Sequence, residues 1–155
     1  MKQVRHILLA IMLLLPCLGF AQTPGGNNQK MTPEERAAEE KKAEKEFREA
    51  IDGMVKKYED ILDLEPWQSF YVDSILSHDY TELQAKLIEY SESKMSAMGP
   101  YQKAQDECGE KIYESFHKIL NEEQWAKYLK SGAAADKKTR DKRAAKRAKL
   151  TNQGK

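Results

Sequence analysis

From Met31 to Leu129 the chain contains only three glycines (Gly53, Gly99, Gly109) and three prolines (Pro33, Pro66, Pro100), while its apolar residues recur every three or four positions. Breakers this sparse leave no room for the repeated turns of a sheet, and the three-to-four spacing lines apolar side chains along one face of a helix. Strand-type alternation is absent. The expected fold class is therefore all-α, a long amphipathic helical hairpin of about four helices.

Helix boundaries follow from local chemistry. Thr32-Pro33-Glu34-Glu35 opens the first helix: Thr32 caps free amides, Pro33 supplies a helical φ, and Glu35 reaches back to close a capping box. A solvated stretch of Glu, Lys and Ala leads into an apolar line of Phe47, Ile51, Met54, Tyr58 and Ile61 or Leu62, with Lys41, Lys45, Arg48 and Lys56 as a basic stripe beside it. Gly53 interrupts this helix at a cost of about 1 kcal/mol relative to Ala, which predicts a bend or a close helix contact. A second helix is expected from Pro66 to about Met95, on Val72, Ile75 or Leu76, Leu83, Leu87 and Tyr90, and Gly99-Pro100 is read as a stop. Tyr101, Ala104, Cys108, Ile112, Phe116 and Ile119 define a third helix, and Glu122 to about Lys130 a short fourth, ending at Ser131-Gly132.

The N-terminus has the three parts of an export signal: a positive start (Lys2, Arg5, His6), an apolar run from Ile7 to Leu15, and small residues in Gly19-Phe20-Ala21. Cleavage is expected after Ala21, making 1–21 a signal peptide, 22–31 a polar flexible leader, 32–132 one helical domain and 133–155 a basic, disordered tail. The apolar run is far short of the roughly 20 residues that span a bilayer, so no transmembrane segment is expected in the mature chain, and a periplasmic location follows. Cys17 invites comparison with lipidation sites, but Pro16 occupies the place of the small residue such sites use. Removing Lys2 and Arg5 leaves 24 basic against 25 acidic residues. From Glu59 to Glu123 acids outnumber bases about three to one, and from Lys137 to Lys149 bases dominate. Cys108 is then the single cysteine and can form no internal disulfide.

Two segments share a pattern, Leu64-Glu65-Pro66-Trp67-Gln68 and Leu120-Asn121-Glu122-Glu123-Gln124. In the second, Asn121 caps a helix, Gln124 bonds back to the cap amide, and Leu120 staples onto Trp125. In the first, Glu65 is a poorer cap and Pro66 supplies pre-organisation. With the signal peptide and the charged helical body, these two Leu-x-x-x-Gln helix starts resemble the LTxxQ-motif family of periplasmic proteins (Spy/CpxP-like), over roughly Phe47 to Leu129. Asn121 and Glu65 stand where that motif has Thr. The resemblance implies a curved antiparallel homodimer whose concave face receives partly unfolded clients.

Cys108 falls on the apolar line of its helix and reads as a buried, inert thiol. His78, with Asp79 and Glu82, and His117, with Glu114, lack a second His or Cys at ligand spacing, so no metal and no cofactor is expected. No nucleophile elbow, phosphate loop or zinc-protease pattern is present, which argues against an enzyme. Trp67, Phe70, Tyr71, Phe116, Trp125 and Tyr128 gather at the two motif starts and read as packing at the helix ends. Met54, Met95 and Met98, with Phe47, Ile51, Lys41, Lys45 and Arg48, are candidate client-binding residues, with core filling the alternative for each methionine. Export turns the basic tail away from nucleic acid and toward lipid headgroups, acidic clients or a partner subunit, with a merely solvated tail as the alternative. The expected function is ATP-independent protection of unfolded or partly folded envelope proteins. A regulator binding the outer domain of a sensor protein is the alternative, and metal sensing a more distant one.

Overall fold

The computed structural model describes residues 32–93 and 98–153. The export signal with Cys17, the leader and Met95 lie outside the described residues. Every element among the described residues is helical, so the fold is all-α.

Helix α1 (Pro33–Leu62) begins with the expected reciprocal cap: Glu35 N donates to Thr32 Oγ1 at 3.2 Å, and Thr32 N donates to Glu35 Oε2 at 2.8 Å. The chain divides into two compact units, one ending at Gly53 and one beginning at Met54, and α1 runs through the division. The described part of the first unit is largely solvated. Its charges pair along the helix at i,i+4 (Lys42 with Glu46, Lys45 with Glu49, Arg48 with Asp52), where each exposed pair contributes only a few tenths of a kcal/mol. Gly53 makes no close contact: a Cβ built there meets nothing within 4 Å, and the helix continues through it.

In the second unit α1 stops at Asp63, whose φ of 51° turns the chain. A short polar side chain tolerates that left-handed conformation better than a branched one. Helix α2 (Pro66–Glu92) and helix α3 (Met98–Ile119) lie antiparallel, as Lys111 on Glu82, Lys86 on Glu107 and the Tyr90–Tyr101 ring contact show. Between them the core takes Val72, Leu76, Leu83 and Leu87 from α2 and Ala104, Cys108, Ile112 and Phe116 from α3. Of the two pairs left open by spacing, Leu62 and Leu76 are the buried members. Gly99-Pro100 belongs to the first turn of α3 instead of forming a stop, because a proline near a helix start has no amide that the ladder would need. Tyr58 stacks edge-on against Phe116 at 5.0 Å, and Tyr128 packs on both, which joins the end of α1 to α3 and to the short helix α4 (Glu122–Tyr128).

The expected disordered tail is instead a helix. After a kink within Leu129–Ala133, where Gly132 leaves helical geometry at φ 124°, the chain continues as α5 (Ala134–Gln153). That φ is open to glycine and strained for any residue with a Cβ. With exposed Leu150 as its one large apolar residue, α5 is held mainly by charge. Asp106 of α3 is buried and accepts from Arg143 Nε (3.0 and 3.1 Å), from Arg143 Nη2 and from Arg147 Nη1 (2.8 Å). One helical turn along α3, Glu110 receives Lys137 and Arg140. Gly109 makes room beside them, since a Cβ there would lie 3.3 Å from Arg140 Cδ. Sequence periodicity misses this helix because its inward face is made of arginines, which register as solvent-seeking until their carboxylates on another helix are known.

Burial alone would raise the Asp106 carboxyl, but the hydrogen bonds and charges of Arg143 and Arg147 more than reverse this and lower it. A lowered folded-state pKa means stabilisation that is present above the ordinary aspartate value of 3.8 and lost as pH falls through the depressed value. Asp106→Asn should remove it at neutral pH as well, at about 1.5–3 kcal/mol, the usual range for a hydrogen bond to a charged group. Amide exchange of residues 134–150 measures the effect: release of α5 is expected in the variant at pH 7 and in the wild type only in strong acid. Equal protection in both at pH 7 would contradict the anchoring role.

Candidate functional site

Gln68 and Gln124 sit three residues beyond the caps of α2 and α4, and the structure brings them together. Gln68 Oε1 accepts from Glu65 N (2.9 Å) and from Gln124 Nε2 (2.8 Å). Gln124 Oε1 accepts from Asn121 N (3.0 Å) and from Gln68 Nε2 (2.7 Å). The remaining N–H of Gln68 donates to Ile119 O at 2.9 Å, and that of Gln124 to Asp63 O at 3.3 Å. Each carbonyl belongs to the residue two before the opposite cap, so the arrangement has an approximate two-fold symmetry. Both side chains are buried, yet each amide uses both donors and both lone pairs. A buried polar network satisfied to this degree rigidifies its surroundings, whereas a partly satisfied one is costly. Here it ties together the end of α1, the start of α2, the end of α3 and the start of α4.

Around this clamp the motif residues divide by role. Asn121 Oδ1 accepts from Gln124 N at 2.9 Å; Leu120 is buried and Leu64 half-buried. Glu65 has its carboxylate on the indole of Trp67, whose Nε1 donates to Glu65 Oε2 at 2.7 Å. The aromatic residues of the two copies separate. Trp125 packs on Tyr113 (4.9 Å), Tyr128 and His117, as expected for helix-end packing. Trp67, Phe70 and Tyr71 instead face outward, 49%, 67% and 50% exposed, with T-shaped ring contacts at 6.1 and 5.9 Å. Helix geometry gives the reason: with Gln68, Val72 and Leu76 turned into the clamp and core, residues 67 and 70 fall on the opposite side of α2 and residue 71 on its flank.

The other candidate binding residues are scattered. Ile51 (1% exposed) and Met54 (8%) are buried, which corrects their choice as client-binding candidates; for Met54 burial matches the core-filling alternative. Phe47 is half-buried; Lys41, Lys45 and Arg48 are exposed, with Lys45 and Arg48 in the ion pairs of α1. Met98 is 66% exposed at the start of α3, at the far end of the α2–α3 pair from Trp67.

Cys108 is buried, its thiol donating to Asp79 O at 3.5 Å, and burial, aided by the Asp79 charge, pushes it up to about 12. The reactive thiolate is therefore not formed at neutral pH. His78, Asp79 and Glu82 have potential ligand atoms within 4.8 Å of one another, but His78 Nδ1 lies 3.0 Å from Asp79 Oδ1 and Glu82 is held by Lys111. An ammonium group at that position competes with any cation. No family model, curated protein or solved structure matches the chain.

The clamp requires amides on both sides, because a carboxylate supplies acceptors only. Gln124→Glu would set acceptor against acceptor at Gln68 Oε1 and Asp63 O, with a buried charge besides, at about 3–5 kcal/mol near pH 7. Protonation restores one donor, so the folded state raises the pKa of the introduced carboxyl and the penalty shrinks as pH falls toward 5. Chemical denaturation of wild type and variant at pH 7 and pH 5 measures both; a variant as stable as wild type at pH 7 would refute the arrangement.

Proposed function

We propose that this protein is a non-enzymatic, ATP-independent chaperone or stress-protective protein of the periplasm that holds partly unfolded chains. The observation that carries the reading is the exposed cluster of Trp67, Phe70 and Tyr71 on the clamped start of α2. Contiguous apolar surface held outward on a rigid element marks a site for another macromolecule. Aromatic rings give large contact area at low conformational cost.

The size of the patch sets the strength. Three rings about half exposed offer roughly 300 Å² of contact, a gross gain of about 7 kcal/mol at 25 cal/mol/Å². Association and ordering costs of about 4 kcal/mol or more offset much of this. The result is weak, reversible holding, suited to clients that must leave to fold. The acid-rich sequence from Glu59 to Glu123 adds long-range attraction for basic segments of a client, which raises encounter rate more than affinity. Resemblance to the LTxxQ-motif family and the export signal support the same reading, including its location and pairing into a homodimer.

The purified protein, without ATP, is expected to suppress light scattering by an unfolding client at several-fold molar excess. A Trp67→Ala, Phe70→Ser, Tyr71→Ser variant should lose most of that protection while its melting temperature changes little, because the removed rings are half exposed. Absence of protection by wild type, or full protection by the variant, would each overturn the proposal.

A further inference from the structure

The C-terminal helix α5 sorts its basic residues by type. Arg140, Arg143 and Arg147 turn toward α3 and its carboxylates, and Lys137 joins them at Glu110. Lys138, Lys142, Lys146 and Lys149 are all exposed, and among the described residues none of the four forms an ion pair. Their spacings of four, four and three place them within an arc of about 80° and along about 16 Å of helix. Asp136 and Asp141, the two acidic residues of α5, fall outside that arc. Exposed Leu150 lies at its margin, near Lys146.

The geometry points to this lysine face as a docking surface for an anionic phospholipid bilayer, with α5 lying along the headgroups. Charge complementarity is the warrant: a straight row of point charges without interspersed acids matches a flat, laterally mobile field of phosphates. The choice of residue favours lipid over nucleic acid. Arginine is the side chain whose planar fork reads phosphate bidentately, and here the arginines of the helix are engaged inward. What remains outward is lysine, with an apolar residue at the rim to enter the headgroup layer. Because Asp106 and Glu110 hold the opposite side, the lysines are presented as a pre-formed row. This surface is independent of the aromatic cluster.

The test is co-sedimentation of the purified, naturally processed protein with vesicles of phosphatidylcholine containing 30 mol% phosphatidylglycerol, and of phosphatidylcholine alone, at about 0.1 M salt. Each lysine near an anionic surface strengthens partitioning about fivefold. A variant carrying Lys138→Gln, Lys142→Gln, Lys146→Gln and Lys149→Gln should therefore bind the anionic vesicles about 600-fold more weakly, with unchanged helicity. Lys142→Glu with Lys146→Glu is a second variant that should lose binding comparably. Wild-type binding should vanish near 1 M salt, where the screening length falls to about 3 Å. No preference for anionic vesicles, or equal binding by wild type and both variants, would overturn the proposal. Tighter binding to a DNA oligonucleotide than to vesicles at equal phosphate concentration would do so too, by making the face a general polyanion site.

Discussion

The paired amides of Gln68 and Gln124 are the constraint on which the second unit is organised. Four helix ends converge there, and helix ends are where the backbone has unsatisfied groups to place. The two side chains close the account among themselves: each accepts from its own cap amide, exchanges a hydrogen bond with the other, and donates to a carbonyl beside the opposite cap. Any shift of α2 against α4 breaks several of these bonds in a buried setting, where an unmet donor or acceptor costs about 1–3 kcal/mol. The clamp therefore fixes the rotation of α2 as well as its position.

That rotation decides what the surface offers. Turning Gln68 inward carries Val72 and Leu76 with it into the core and leaves Trp67, Phe70 and Tyr71 outside. The second copy of the motif lacks this consequence because Trp125 has Tyr113 and His117 to pack against. Two starts with the same internal logic thus present different outer surfaces: the rings after the first face outward, and that of the second is packed on neighbouring rings.

Attachment of α5 rests on a different kind of interaction. With few apolar groups, the helix is held to α3 by carboxylates that meet arginines in register, Asp106 with Arg143 and Arg147, Glu110 with Lys137 and Arg140. Asp106 is a buried charge, and such a group is tolerated only when its hydrogen bonds are supplied. The same pairing divides the helix into an arginine side used for structure and a lysine side left to the surroundings.

Helix type, most boundaries and the stripes of α2 and α3 were legible in the sequence alone, because periodicity and capping operate within a few residues: Thr32 with Glu35, Asn121 with Gln124, Val72 through Leu87. The two glutamines were legible as helix starts but not as partners, since they lie 56 residues apart and nothing local distinguishes a solvated amide from a clamped one. Burial of Ile51 and Met54, exposure of Trp67, Phe70 and Tyr71, and order in the basic tail were likewise decided by tertiary structure. The physical reason is common to all: a helix's own sequence sets which residues share a face, while which face meets another helix depends on groups that the distant partner contributes.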